Sequence, residues 1–176
     1  MIKRSSHQST LNSSDQGDLS LSQNTVKSDS RPLCPVTVIV PAYNEASCIA
    51  DTINSLLAQT LMAQEIIVID DGSTDQTAEI CRSLGVTVIS PAKNTGSKAG
   101  AQNYALDQIQ TPFTLAIDAD TTLKNDAIEK LYTAMTEDDV VAVCGFVIPQ
   151  YVNTLWERGR YVEYLMAFTF YKEIQS

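Results

Sequence analysis

A short apolar run that ends on two carboxylates lies in the segment Phe113-Thr-Leu-Ala-Ile-Asp-Ala-Asp-Thr-Thr-Leu123. The run 113–117 is typical of a buried strand. Alternate side chains of an extended backbone point the same way, so Asp118 and Asp120 are expected to face one side of the strand end. Either the pair is a solvated strand end, or it holds a cation that offsets the repulsion of like charges. Mg²⁺ and Mn²⁺ suit the second alternative, because they share oxygen ligands with substrate phosphates.

On both sides of this segment, β-branched runs alternate with stretches that repeat apolar residues at helical spacing. The predicted strands lie at 36–40, 65–70, 86–89, 113–117 and 140–146, and the predicted helices at 46–58, 75–84, 98–109 and 125–136. Strands rich in Val and Ile, separated by helices, are typical of a parallel sheet covered on both faces. The predicted fold class is α/β, with a mostly parallel Rossmann-type sheet and helices on both faces.

The chemically informative residues follow the predicted strands at their carboxyl ends. Pro41-Ala-Tyr-Asn-Glu45 follows the first strand, Asp70-Asp-Gly-Ser-Thr-Asp75 ends the second, and Asp118-Ala-Asp120 ends the fourth. In open parallel sheets, ligands bind beyond the carboxyl ends of the strands, where the strand order reverses. We therefore expect these motifs to contribute to one ligand site.

Two of these motifs also have a purely structural interpretation. Asn44 fits a helix cap, and Glu45 is favourable at the positive end of a helix dipole. The acidic segment 70–75 fits a turn followed by a capping aspartate. Capping does not explain why a buried strand ends on two consecutive acids, Asp70 and Asp71. A carboxylate at that position suits the ring N–H of a base such as uracil.

The composition excludes several classes of function. The chain has 176 residues, and its formal net charge of −9 argues against a nucleic-acid partner, because phosphate backbones require clustered Lys and Arg. Four scattered cysteines without a C-x-x-C motif disfavour a zinc site and fit a reducing cytosol. The one histidine, His7, lies in a polar segment, so Ser-His and Cys-His nucleophilic chemistry is excluded.

Three regions are predicted along the chain. Residues 1–33 are polar and bury too little apolar surface to offset their ordering entropy, so we interpret them as a disordered tail without the apolar core of a secretory signal. Residues 34–150 form the α/β domain. Residues 151–176 form an amphipathic helical segment that either packs on the sheet or lies at a membrane surface. No run approaches the roughly 20 apolar residues of a membrane-spanning helix.

A further segment contains Asn94-x-Gly96 and Lys98-Ala-Gly-Ala-Gln-Asn103, in which Lys98 taken alone fits a solvated side chain. In order and spacing, the motifs at 38–45, 69–75, 94–103 and 118–120 resemble family 2 glycosyltransferases of the GT-A fold. The resemblance covers about residues 36–150. It implies an inverting transfer of a sugar from a nucleotide-diphospho-sugar, most often a UDP-sugar, to a glycan or lipid-linked acceptor in polysaccharide or glycoconjugate synthesis.

The resemblance also implies roles for single residues at the strand ends. Asp118 and Asp120 would bind the ribose and an Mg²⁺ or Mn²⁺ ion on the diphosphate, and the metal would neutralise and orient the leaving group. The remaining implied residues form the nucleotide pocket. Asp70 or Asp71 would bind the base, and Lys98 would lie near the nucleotide. The other residues that would line the pocket are Ala42, Tyr43 and Glu45.

After residue 150 the chain is similar to processive membrane synthases of the cellulose, chitin, hyaluronan and poly-N-acetylglucosamine type. The similarity rests on Glu163-Tyr164, Tyr171-Lys172 and Gln175. It implies membrane-surface contact through residues 155–175. It also implies a cytoplasmic location, at the inner face of the plasma membrane in the full-length protein.

An inverting transferase needs a general base for the acceptor hydroxyl. The family places this base in a Thr/Glu-Glu/Asp-Asp motif well after Asp-x-Asp, and processive members add Gln-x-x-Arg-Trp; neither has room before Ser176. Thr136-Glu-Asp138 follows the Asp-x-Asp motif too closely, so we interpret it as a surface turn. The catalytic residues are therefore unknown. We expect a chain that is truncated before the acceptor half and holds the donor-binding half, without transfer activity by itself.

Two other functions fit parts of the sequence. Asp118-Ala-Asp-Thr-Thr122 matches the Asp-x-Asp-x-Thr nucleophile motif of haloacid-dehalogenase-type phosphatases, although those enzymes carry it on their first strand. A non-catalytic sugar-nucleotide-binding remnant fits the missing acceptor half. A dinucleotide-binding enzyme is disfavoured, because Pro-Ala-Tyr-Asn44 follows the first strand in place of G-x-G-x-x-G.

Overall fold

The computed structural model describes residues 1–3, 30–149, 154, 156, 158, 159, 161 and 162. The chain divides into two compact units, Met1–Val143 and Cys144–Ser176. Most of the predicted tail, residues 4–29, lies outside the described residues. The same holds for most of the predicted amphipathic segment 151–176.

The first unit contains a mostly parallel sheet. Its strands are β1 (Ile2–Lys3), β2 (Leu33–Ala42), β3 (Met62–Asp70), β4 (Thr87–Ile89) and β5 (Phe113–Ala116). Their order across the sheet is β1-β5-β2-β3-β4. The strand β2 runs parallel to both β3 and β5, β4 runs parallel to β3, and β1 is antiparallel to β5. The middle of β2, residues 36–40, is Val and Ile except for Thr37, as expected of a strand whose two faces are both covered by helices.

The first unit contains four described helices, of which the first three connect its strands and the fourth follows β5. They are α1 (Ile49–Leu57), α2 (Thr77–Ser83), α3 (Lys98–Leu106) and α4 (Ala127–Met135). Each lies within a predicted helical range and is shorter at one or both ends. The predicted end of the second helix at Gly85 is confirmed, because this glycine has a φ of +79° that residues with a Cβ rarely adopt.

The sheet has a core on each face, because successive side chains of β2 point to opposite sides. On one face, Val36, Val38 and Val40 pack with buried residues of α1, α2 and α4. On the other face, Ile39 packs with Ile69 and with buried residues of α3. The predicted α/β class with helices on both faces is therefore confirmed.

The prediction for the amino terminus is wrong for the three residues described there. Met1 is buried against the core that contains β2, and Ile2–Lys3 pairs with Phe113 and Thr114 of β5. Burial of the Met1 side chain and pairing with the edge of β5 stabilise this short strand, although the segment that follows it is polar. The predicted tail also ends too late, because β2 begins at Leu33.

The predicted strand at 140–146 is wrong, because these residues form no strand of the sheet and only Ala142 makes an isolated β-bridge. β1 takes the edge of β5 that faces away from β2, and with two residues it offers little backbone for a further strand to pair with. Val143 instead exchanges backbone hydrogen bonds with Met1, donating its N–H at 3.2 Å and accepting at 2.8 Å. The apolar pattern at 140–146 indicated extended backbone without showing whether an edge was available.

The second unit begins at Cys144, earlier than the predicted boundary at residue 150. Its described residues between 156 and 162 are helical: Trp156, Arg158, Gly159, Tyr161 and Val162. The Arg158 N–H donates to the Thr154 carbonyl at 3.1 Å. Within the described residues, none of the helices combines the length and apolar character needed to cross a bilayer.

Candidate nucleotide and metal site

The carboxyl ends of β2, β3 and β5 border a cleft of about 280 Å³. The strand order reverses between β2 and β5, because the chain builds β2, β3 and β4 outward and then returns to the other side of β2. The predicted motifs and α3 contribute its lining: Pro41, Ala42, Tyr43, Glu45, Asp71, Lys98, Ala101, Asp118, Ala119 and Asp120. Asp70 is the predicted site residue that does not line the cleft.

The loop after β2 is held to the loop after β3 by Asn44. This residue has a positive φ of 56°, which Asn tolerates better than most residues. Its Oδ1 accepts a hydrogen bond from the Thr74 N–H at 2.8 Å, and its own N–H donates to Ser73 Oγ at 3.0 Å. Asn44 is therefore a bridge between two loops. The predicted helix-cap role is wrong, because Cys48 occupies the N-cap position of α1.

Asp75 joins the same two loops at the start of α2. Its Oδ1 accepts hydrogen bonds from Thr77 Oγ1 at 2.5 Å and from the Thr77 N–H at 3.0 Å. Its Oδ2 accepts from the Ala46 N–H at 3.1 Å. The Glu45 N–H donates to Thr77 Oγ1 at 2.8 Å, which ties a cleft residue into the same network. These donors, the Thr77 hydroxyl foremost, hold the pKa of Asp75 below its usual 3.8.

We expect Asp75→Asn to make the free energy of unfolding depend less on pH in the acid range. A carboxyl whose pKa is depressed in the folded state contributes stability that is present above its unfolded pKa and is lost as the pH falls through the folded pKa. The Asp75 contribution is therefore complete at neutral pH and disappears below the usual value of 3.8. Urea unfolding at about pH 7 and about pH 3 should show a smaller drop for the variant than for the wild type. An equal drop in both proteins would contradict the assignment.

The two consecutive acids at the end of β3 have different surroundings. Asp70 is 8% exposed, and its Oδ1 accepts a hydrogen bond from the Ser73 N–H at 3.1 Å, which closes the turn. Asp71 is 6% exposed, and each of its oxygens accepts one hydrogen bond from Thr95. The Thr95 N–H donates to Oδ1 at 2.7 Å, and the Thr95 hydroxyl is 2.8 Å from Oδ2. The structure thus gives Asp70 a turn-closing position and Asp71 a position in the cleft lining.

The loop before α3 packs closely on the start of that helix. A Cβ at Gly100 would lie 2.8 Å from both Cβ and Oγ1 of Thr95, so a side chain there would displace the residue that contacts Asp71. The Gly100 N–H donates to Ser97 Oγ at 3.0 Å, which caps α3. The Asn94 side-chain amide donates to the Asp71 carbonyl at 2.5 Å. The loop therefore connects the end of β3 to the helix that begins at Lys98.

Lys98 forms an ion pair with Asp118 at the cleft. Asp118 and Asp120 are exposed on either side of the buried Ala119, and both line the cleft. Within the described chain, no cluster of three or more His, Cys, Asp or Glu side chains is arranged to hold a metal ion. Two carboxylates suit an Mg²⁺-like ion that takes its remaining ligands from phosphates and water. The carboxylates of Asp118 and Asp120 therefore fit a cation that is shared with a bound diphosphate.

The Cys48 thiol lies beside this site and donates a hydrogen bond to Glu45 Oε2 at 3.0 Å. Burial, assisted by the hydrogen bond and the charge of Glu45, raises the pKa of Cys48 to about 11. The thiol is therefore neutral at physiological pH and acts as a hydrogen-bond donor. All four cysteines are free.

Polar residues on one side of α1 contact the loop after β5, and the sequence analysis missed them. They are Thr52, Ser55 and Gln59, which recur at helical spacing beside the apolar residues that predicted the helix. The Thr52 hydroxyl donates to the carbonyl of Ala119, between the two carboxylates of the cleft. Polar residues repeated next to an apolar stripe are the signal that could have identified them.

In open α/β sheets, ligands bind beyond the carboxyl ends of the strands where the strand order reverses, and acidic residues after three strands line the cleft at this point. The family model of glycosyl transferase family 2 matches residues 37–175. The chain belongs to this family, and the match favours it over the phosphatase alternative.

Curated relatives agree with this assignment. Glycosyltransferase GlyG of Streptococcus pneumoniae serotype 4 is 32% identical over 114 residues, which are 62% of this chain and 38% of GlyG. Poly-beta-1,6-N-acetyl-D-glucosamine synthase of Staphylococcus epidermidis is 33% identical over 106 residues, which are 58% of this chain and 26% of the synthase. A synthase of the predicted type is therefore among the relatives of this chain.

Solved structures show the same fold. S. aureus TarS 1–349 in complex with UDP-GlcNAc matches with a TM-score of 0.51 and 30% identity, over 57% of this chain and 30% of that one. The mannosyltransferase PcManGT of Pyrobaculum calidifontis, in complex with GDP-Man and Mn²⁺, matches with a TM-score of 0.55 and 28% identity, over 62% and 34%. These likenesses confirm the GT-A-like fold class. The chain spans less than half the length of each of these relatives and structures.

Proposed function

We propose that the cleft binds a nucleotide-diphospho-sugar, with a UDP-sugar as the preferred donor. The chain would thus contribute the donor-binding part of an inverting glycosyltransferase of polysaccharide or glycoconjugate synthesis. One observation carries this proposal: Asp71, Lys98 and the Asp118–Asp120 pair line the same cleft in a chain of glycosyl transferase family 2. The presence of UDP-GlcNAc in the TarS structure supports the donor class.

The base would bind at the Asp71 end of the cleft. Both oxygens of this carboxylate already accept hydrogen bonds from Thr95, which orients the side chain. Each carboxylate oxygen has a second lone pair, so Asp71 can still accept the ring N–H of uracil. Tyr43 is half-exposed in the same lining and provides apolar surface for the nucleoside. Ala42 and Glu45 complete this side of the pocket.

The diphosphate would bind at the Asp118–Asp120 end. A divalent cation held there supplies Lewis-acid neutralisation of the leaving diphosphate. Mg²⁺ and Mn²⁺ both suit two carboxylates that share the ion with phosphate, and the Mn²⁺ in the PcManGT structure makes Mn²⁺ the first choice for experiments. Lys98 is paired with Asp118 and lies close enough to the cleft to exchange this partner for a phosphate oxygen. Asp118 would also contact the ribose.

The proposals for the acceptor and the cellular location concern the full-length protein. We propose a glycan or lipid-linked acceptor, and a position at the cytoplasmic face of the plasma membrane with contact through residues 155–175. The described helical residues in this range include Trp156, which is 87% exposed and therefore available to a membrane surface or to a further part of the protein.

Isothermal calorimetry with the full 176-residue chain tests the proposed donor site. UDP should bind in the presence of Mn²⁺ or Mg²⁺ and bind at least about tenfold more weakly with EDTA, because the cation offsets the repulsion between diphosphate and carboxylates. UMP, which lacks the second phosphate, should lose most of the metal dependence. Metal-independent UDP affinity, or no affinity for any nucleoside diphosphate, would contradict the proposed function.

A further inference from the structure

The helix α1 carries a polar stripe on the side that faces the loop after β5. The stripe consists of Thr52, Ser55 and Gln59, with Gln59 just beyond the last helical residue. Thr52 is 1% exposed and Gln59 is 0% exposed, so two polar side chains are buried in an otherwise apolar interface. Buried polar groups need partners. The partners of this stripe lie mainly in the segment 119–128.

Thr52 makes the contact nearest to the candidate site. Its Oγ1 donates to the Ala119 carbonyl at 2.7 Å in a fully buried hydrogen bond. A threonine inside a helix commonly donates to a carbonyl of its own preceding turn. Here the hydroxyl reaches out of the helix to the residue between Asp118 and Asp120. Rotation of this peptide would change the orientation of Asp120 relative to Asp118, because the Ala119 backbone joins them.

Ser55 and Gln59 hold the rest of the same loop. Ser55 Oγ accepts from the Leu123 N–H at 3.0 Å and donates to the Thr52 carbonyl at 2.7 Å. Gln59 Nε2 donates to the Lys124 carbonyl at 2.9 Å, and its Oε1 accepts from the Ile128 N–H at 3.0 Å. The contacts follow the order of the chain, so α1 holds the loop along its length from Ala119 to the start of α4.

We propose that Thr52 is a positioning residue for the Asp118–Asp120 pair, supported by Ser55 and Gln59. The hydroxyl of Thr52 fixes the Ala119 carbonyl, and this contact holds the turn in which both carboxylates line the cleft. The metal-related part of this inference rests on the proposed function. The part that concerns the turn itself rests on the geometry alone.

A matched pair of substitutions separates positioning from packing. Thr52→Val keeps the shape of the side chain and removes the hydroxyl, whereas Thr52→Ser keeps the hydroxyl and removes a methyl group. Thr111→Val is the control, because Thr111 is also buried and its hydroxyl is hydrogen-bonded to that of Thr37 at 2.8 Å. Thr111 lies before β5, at the opposite end of the strand from the carboxylates.

The first readout is the Mn²⁺ concentration that gives half-maximal UDP binding. Loss of a residue that orients metal ligands typically weakens metal affinity by about 10- to 100-fold. We therefore expect Thr52→Val to raise this concentration by about tenfold, with UDP affinity in EDTA unchanged. Thr52→Ser should remain close to the wild type, and so should Thr111→Val even where its melting temperature falls. Equal Mn²⁺ requirements in Thr52→Val and the wild type would overturn the proposal.

The second readout does not depend on nucleotide binding. In the folded chain the Thr121 N–H donates to the Asp118 carbonyl at 3.1 Å, within the turn that Thr52 holds. Hydrogen exchange of the Thr121 amide should be faster in Thr52→Val, and unchanged in Thr111→Val, once global stability is matched with urea. A wild-type chain that binds no UDP would contradict the proposed function, and the exchange result would still decide the positioning role. Unchanged exchange at Thr121 would overturn that role.

If Thr52→Val does not fold, Ser55→Ala replaces it. This variant removes the acceptor for the Leu123 N–H at a half-buried position. It should accelerate exchange of the Leu123 amide and raise the Mn²⁺ requirement in the same direction, by a smaller factor. Unchanged exchange at Leu123 together with an unchanged Mn²⁺ requirement would count against the stripe as a positioning device.

Discussion

Asp120→Asn should weaken Mn²⁺-dependent binding of UDP by about 100-fold, equivalent to about 2.8 kcal/mol. The substitution removes one of two carboxylates that would hold a divalent cation on the diphosphate. In EDTA the same variant should bind UDP as well as the wild type or better, because the lost carboxylate repels the diphosphate when no cation is present. This opposite response to metal distinguishes a metal ligand from a residue that only supports the fold. Calorimetry with and without Mn²⁺ measures it.

Asp138→Asn is the control for this experiment. Asp138 is exposed in the turn after α4, within the Thr136-Glu-Asp138 segment, and does not line the cleft. The two substitutions change the net charge equally, so any general electrostatic effect on an anionic ligand appears in both. We expect UDP binding of Asp138→Asn to match the wild type. If the two variants respond alike, the assignment of Asp120 to the metal is wrong.

Asp71→Asn should reduce UDP affinity by about 30-fold while leaving the affinity for pyrophosphate unchanged. A hydrogen bond to a charged group is worth about 1.5 to 3 kcal/mol, or roughly 10- to 150-fold in affinity. The substitution removes the charged acceptor proposed for the base. The asparagine side chain has one oxygen and one NH₂ group, so its NH₂ group would face either the N–H or the hydroxyl of Thr95. One of the two hydrogen bonds that orient the side chain would therefore be lost. Competition between UDP and pyrophosphate, both with Mn²⁺, gives the ratio directly.

Asp107→Asn is the matched control, because Asp107 is exposed at the end of α3 and outside the cleft lining. The double variant Asp71→Asn/Asp120→Asn adds a further test. If the base end and the metal end act independently, the two losses of binding free energy should add within about 0.5 kcal/mol. A parallel loss of pyrophosphate affinity in Asp71→Asn would show that Asp71 supports the whole cleft and not the base alone.

The repeating patterns of the chain were sufficient to predict the architecture. The β-branched run 36–40 in the middle of β2 is typical of a strand that is buried on both faces of a covered parallel sheet, and this pattern is visible in the local sequence. The helices follow from apolar spacing for the same reason. The positions of the motifs at strand ends then place them at one edge of the sheet, since all carboxyl ends of parallel strands lie together.

The repeating patterns did not predict where a helix begins or which segment pairs with the edge of the sheet. Asn44 fits a helix cap by its residue type, but its Oδ1 accepts a hydrogen bond from the Thr74 N–H in the loop after β3, and α1 begins after Cys48. The segment 140–146 has the pattern of a strand, but Ile2–Lys3 occupies the edge of β5. Both outcomes depend on residues that are distant in the chain and compete for the same hydrogen-bonding groups.

The sequence by itself determined the class of fold, the family and the edge of the sheet at which the informative residues lie. Tertiary structure alone separated Asp71, which lines the cleft, from Asp70, which closes a turn, because consecutive acids look alike until their hydrogen-bond donors are known. It alone paired Lys98 with Asp118 and connected Thr52 to Ala119. Periodic burial is a local property of the chain, whereas the partner of a polar group is decided by whichever distant segment is packed against it.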